Sequence, residues 1–84
     1  MPKKIKISNH ANKRMQQRGI KKRNLELTAY KPDRIYRQED GTEVREKKVR
    51  SGRNPILRVI LCPIEFLIIT VYRAAKYFNH EDNV

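Results

Sequence analysis

His10, Arg14 and Arg18 recur at i, i+4 and i+8, which sets one imidazole and two guanidiniums in a single row along a helix. Arg58 stands inside an apolar run, and Tyr72 and Arg73 end another. These are the side-chain types that metal-free RNA cleavage needs. The ribose 2′-OH attacks its own phosphate, so a protein supplies a proton acceptor, a proton donor and cations for the developing charge. In that chemistry His10 moves protons, Arg14, Arg58 and Arg73 clamp the scissile phosphate, and Tyr72 stacks a base or donates a proton. DNA lacks the 2′-OH and lies outside this route. The sequence has no glycine-rich phosphate loop, no paired-cysteine zinc spacing and no close set of acids for Mg²⁺, so neither metal nor other cofactor is expected.

Each residue also has a plainer reading. A histidine in the first turn of a helix often serves structure alone. Arg14 and Arg18 also fit a solvated helix face. Arg58 is harder to set aside, because a guanidinium amid aliphatic side chains is costly unless it meets an anion, either a ligand or an internal partner. Thr70 and Tyr72 are ordinary strand residues when taken singly.

The charge balance widens the case. The chain holds 20 Lys and Arg against 9 Asp and Glu, for a net +11. Residues 1–54 hold 17 of the basic and 6 of the acidic residues, and so carry the whole excess, whereas residues 55–84 are neutral. Such a field favours phosphate backbones, because binding releases condensed counterions. Arg18, Lys21, Lys22, Arg45, Lys47, Lys48, Arg50 and Thr70 are the expected nucleic-acid contacts. Cations on an edge strand also block aggregation, which is the alternative for Arg45 to Arg50. No basic amphipathic helix with a broad apolar face occurs, and Ile56 to Tyr72 is broken by Arg58, Pro63 and Glu65, so no membrane partner is expected. Met1 to Ser8 has no apolar run behind its basic residues and does not read as a signal peptide. Cys62 is single and sits in an apolar pattern, which reads as a buried thiol in a reducing cytoplasm.

Short elements must position these groups. Ser8 is a helix N-cap, Asn9 to Arg18 the helix, and Gly19-Ile20 a Schellman ending with Ile20 against Met15. A second helix spans Lys21 to Tyr30; the cations of its first turn oppose the helix dipole, which suits either a docked anion or tolerated surface charge. Period-two patterning predicts strands over Asp33 to Glu39 and Thr42 to Arg50, joined by a tight Asp40-Gly41 turn. Two more strands span Ile56 to Cys62 and Glu65 to Arg73, so a four-stranded antiparallel meander under two N-terminal helices is the expected α+β fold. Leu57, Val59, Leu61, Leu67, Ile69 and Val71 are expected to face the helices. The opposite face, with Arg58, Thr70 and Tyr72 among apolar residues, is expected to meet a ligand or a partner chain. One domain over residues 1–73 and a tail over 74–84, a short helix or disordered, complete the expectation.

The run Ile7-Ser-Asn-His-Ala-x-x-Arg14-Met-x-x-Arg18-Gly-Ile20, with Thr70-Val-Tyr72 downstream, resembles a bacterial and phage family of small domains of unknown function marked by His-Ala-x-x-Arg-Met-x-x-Arg-Gly-Ile. That family is similar in fold to RelE/ParE-like toxins, within the barnase-like group of metal-independent ribonucleases. The resemblance covers about Lys6 to Arg73. It implies two helices on a curved antiparallel sheet, RNA as target (ribosome-associated RNA included), RNA cleavage, and an acidic antitoxin as protein partner. The family's His, Arg, Arg and Gly fall on His10, Arg14, Arg18 and Gly19. Where the family usually has Ser-x-x-Asp/Glu at the second helix, this chain has Lys21-Lys-Arg-Asn24. The leading expectation is thus a RelE-like, metal-independent endoribonuclease of the toxin–antitoxin type. The alternatives are a non-catalytic RNA- or DNA-binding module, such as a phage regulator, and an interaction domain for an acidic partner.

Overall fold

A computed structural model describes residues 4–78 of the chain. The order along it is β1 (Lys6–Ile7), α1 (Asn9–Arg18), α2 (Lys22–Tyr30), β2 (Arg34–Arg37), β3 (Glu43–Lys48), β4 (Ile56–Cys62) and β5 (Leu67–Ala74). The strands form one sheet in the order β1-β5-β4-β3-β2. Pairing is antiparallel except between β1 and β5, which run parallel. The fold is α+β as expected, but the four-stranded antiparallel sheet with N-terminal helices is overturned: there are five strands, the sheet is mixed, and both helices follow the first strand. The missed strand is two residues long, too short to show a period. It is held by tertiary bonds alone, Lys6 N–H donating to Phe66 C=O and Ser8 N–H to Ile68 C=O, each at 3.0 Å. Among the described residues, no helix is long and apolar enough to cross a membrane.

The helix boundaries follow local chemistry. The Ser8 hydroxyl accepts from Ala11 N–H at 3.1 Å and itself donates to Ile69 C=O at 3.0 Å, so one side chain caps α1 and ties it to β5. Gly19 adopts the left-handed conformation (φ 62°), and Ile20 N–H donates to Met15 C=O at 2.9 Å, closing the helix as the sequence predicts. Ser8→Ala removes both contacts and is expected to lower stability by about 1–2 kcal/mol, measured by urea denaturation; an unchanged midpoint would mean that the cap is dispensable.

The helices cover one face of the sheet. Ala11, Met15, Ile20, Leu25 and Ala29 pack there on Leu57, Val59, Leu61, Phe66, Ile68 and Val71. Ile68 replaces the expected Leu67 and Ile69. The register shifts between Ile60, opposite Thr70, and Leu61, opposite Ile68, so two β5 residues face one on β4. This bulge reverses the alternation, burying Ile68 and Val71 together and leaving Ile69 37% exposed. The fourth predicted strand also begins late. Phe66 takes a left-handed backbone (φ 53°) and buries its ring beside Tyr30, with centroids 5.2 Å apart. The hairpin turn is longer than Asp40-Gly41, because Gln38 N–H donates to Thr42 C=O and the Asp40 carboxylate accepts both the N–H and the hydroxyl of Thr42. Cys62, the last residue of β4, is half-buried rather than part of the core.

The chain supplies cover for the opposite face. Beyond β5, Ala75–Phe78 are not helical. Lys76 C=O accepts from Arg58 at 3.1 Å, and Phe78 N–H donates to both Glu46 carboxylate oxygens at 3.0 and 2.9 Å. The Tyr77 hydroxyl donates to Asp33 at 2.9 Å. A short helix, one of the two forms expected for the tail, is absent from 74–78, and residues 79–84 lie outside the described residues. Asp33 fastens this segment, and its pKa lies below the ordinary 3.8, chiefly because Lys48 N–H and then the Tyr77 hydroxyl favour the charged form. With the native value depressed, the unfolded chain takes up the proton first. The stabilisation is present above 3.8 and is lost as pH falls from there through the native value. Urea midpoints from neutral pH down to about pH 3 should fall less for Asp33→Asn than for the wild type; parallel curves would exclude Asp33 as a cause.

Candidate functional site

Arg18, Arg50, Asn54, Tyr72 and Arg73 line one recess of about 460 Å³. Arg18 is the last residue of α1, Arg50 and Asn54 belong to the loop between β3 and β4, and Tyr72 and Arg73 lie near the end of β5. Sequence-distant segments meet here because the β4–β5 pairing sets Arg73 opposite Leu57, at the end of the sheet where that loop enters β4. Three of the five lining side chains are guanidiniums and none is a carboxylate.

Arg73 donates to Arg18 C=O at 3.2 Å and, more weakly, to Gly19 C=O at 3.5 Å, which caps the carbonyl end of α1 and offsets the negative end of its dipole. Its Nε–H is buried with no hydrogen-bond partner. Burial and, to a smaller extent, the nearby Arg50 charge lower its pKa. Arg50 donates to Arg53 C=O at 3.1 Å, which curls the loop back on itself. Asn54 holds a left-handed backbone (φ 55°), a conformation Asn tolerates better than most residues. Tyr72 is 37% exposed, with the Arg58 guanidinium 5.3 Å from its ring centre. The arrangement can hold an anion by charge-assisted hydrogen bonds, beside an aromatic ring and a phenol.

Of the expected site residues, the fold brings Arg18, Arg50, Tyr72 and Arg73 together. His10 is exposed in the first turn of α1, about 12 Å along the helix axis from Arg18. Arg14, half-buried between them, does not line the recess. Arg58 faces away from the helices and pairs with Glu46, Nε to Oε2 at 2.7 Å, with Glu46 fully buried. Burial works against the Arg58 charge, and Tyr72 and Glu46 outweigh it, so its pKa is raised. The Glu46 bond is the stronger of the two, since the Tyr72 hydroxyl lies 3.4 Å away.

Arg45 and Lys47 sit opposite Val59 and Leu57, on the helix-covered side. Arg45 donates to Ala29 C=O and to Glu43, and Lys47 donates to Lys31 C=O at 3.1 Å, so both are engaged around the carbonyl end of α2. Lys21, Lys22 and Lys48 are exposed, and Thr70 is half-buried opposite Ile60. Among the described residues, no three His, Cys, Asp or Glu gather as a metal site. Sequence reasoning missed Asn54 and Glu46. The Arg-Asn-Pro loop hinted at the first, and the two-residue period of β3 opposite Arg58 hinted at the second.

No curated protein and no solved structure matches the chain. A family model described as a domain of unknown function matches residues 7–73, a span from the last residue of β1 to the arginine that closes the recess. The chain therefore belongs to the family of the domain of unknown function DUF4258.

Proposed function

We propose that this domain binds RNA by seating a phosphate among Arg18, Arg50 and Arg73. The observation that carries this reading is the convergence of three guanidiniums on one recess with no carboxylate in its lining. A recess of about 460 Å³ suits one nucleotide of a single strand rather than a duplex. Tyr72 offers a stacking surface for the adjoining base, which is how looped and single-stranded RNA is commonly held. The exposed Lys21, Lys22 and Lys48 add a diffuse field that steers the polyanion. Binding of a fluorescent single-stranded RNA should weaken steeply between about 50 and 200 mM salt. No binding even in dilute buffer would end the proposal.

A second reading adds metal-independent cleavage by the 2′-OH route, of the toxin type, with an acidic antitoxin covering the same cations. Tyr72 favours it, because a phenol able to exchange a proton shares the recess with the guanidiniums that would hold the phosphate. His10 lies outside that group. Incubating the protein with RNA in EDTA separates the readings: 2′,3′-cyclic phosphate ends appearing in the wild type and not in Tyr72→Phe support cleavage, and intact RNA leaves binding alone.

A further inference from the structure

We infer that the recess selects the phosphorylated end of an RNA strand, a terminal phosphomonoester, over the phosphodiesters within it; this rests on the RNA-binding reading above. The charge comes first. An internal phosphodiester brings one negative charge and two non-bridging oxygens, whereas a terminal monoester near neutral pH brings close to two charges and three strong acceptor oxygens. Three guanidiniums with no lining carboxylate match the second ligand better than the first.

The donors agree. Arg73 spends two N–H groups on the α1 carbonyls, and its Nε–H is left buried and unbonded. The Arg18 side chain has no hydrogen-bond or ion-pair partner among the described residues. Two diester oxygens would be taken up by the exposed Arg18 and Arg50. A third oxygen gives Arg73 an acceptor as well, for the Nη–H groups that its two carbonyl bonds leave over. The placement is also favourable, because Arg73 already masks the negative carbonyl end of α1, which would otherwise repel a dianion. Finally, the recess is lined from a helix end, a loop and a strand end rather than along an open stripe. A strand terminus enters such a concavity more easily than a chain that must continue out of both sides.

The test uses the full chain and short RNA oligomers of one sequence, in four forms: unmodified, 5′-phosphorylated, 3′-phosphorylated, and unmodified but one nucleotide longer as a charge control. At least one phosphorylated oligomer should bind about tenfold or more tightly than the longer control, an effect the size of one or two charge-assisted hydrogen bonds. Which end gains identifies the source of the monoester. The preference should fade below about pH 6, where the monoester dianion takes up a proton and keeps a single charge. Arg18→Gln and Arg50→Gln, both exposed and remote from the core, should reduce the preference while circular dichroism shows a native fold. If all oligomers bind in a salt-dependent way with no end preference, the inference is overturned and the RNA reading stands. If none binds, both fall.

Discussion

Glu46→Ala should destabilise the domain by about 3–5 kcal/mol, a large part of what a chain of this size has to lose. Glu46 is fully buried, and its carboxylate accepts from Arg58 Nε and from Phe78 N–H. Truncating it leaves the Arg58 guanidinium, whose side chain is only 12% exposed, without its counter-charge, and it frees the backbone that closes the outer face. An uncompensated charge in that position costs more than the pair gains, so removing both charges should cost far less than removing one. Glu46→Leu combined with Arg58→Leu is therefore expected to recover much of the loss. Urea denaturation of the two single variants and the double variant decides this. Strict additivity, or a loss below about 1 kcal/mol for Glu46→Ala, would show that the pair is not what holds this face.

The other large effect falls on binding. Arg18→Gln with Arg50→Gln removes two of the three guanidiniums at the recess while touching no core residue. Affinity for single-stranded RNA should drop by a factor on the order of ten to a hundred at low salt, and the slope of log affinity against log salt should shallow by about 1.4. Lys21→Gln with Lys22→Gln removes the same charge from an exposed position outside the recess and should cost only a fraction of that. Equal losses from the two pairs would indicate a general field rather than a site. Arg73 is the wrong residue for this comparison, because its bonds to Arg18 and Gly19 carbonyls make it part of the scaffold as well.

The elements with local signatures were legible in the residues. Ser8, Gly19 and Ile20 delimit α1 by capping chemistry that acts within a few residues, and each sits in the structure as those residues predict. The period of β4 marks Leu57, Val59 and Leu61 as its core face, and they are fully buried. The neighbouring strand is less legible, because one bulge sets Ile68 on the same face as Val71, takes Leu67 and Ile69 out of the core, and leaves no trace in composition. The cations are less legible for a different reason. Arg45 and Lys47, expected as nucleic-acid contacts, reach the carbonyl end of α2, and Arg73 reaches that of α1 while lining the recess, partners that exist only once helix and sheet are packed.

By itself, the order of residues determined that this is a strongly basic α+β chain with a capped first helix and an aliphatic sheet face, because composition, caps and alternation act over short range. Only the tertiary structure decided which cations remain available. It drew Arg58 to Glu46 under the chain's own Lys76–Phe78 segment, committed Arg45 and Lys47 to α2, and left Arg18, Arg50 and Arg73 facing one recess. The reason is physical: a charge acts on whatever lies within a few ångströms, and folding alone sets those neighbours across 12 to 55 positions of sequence.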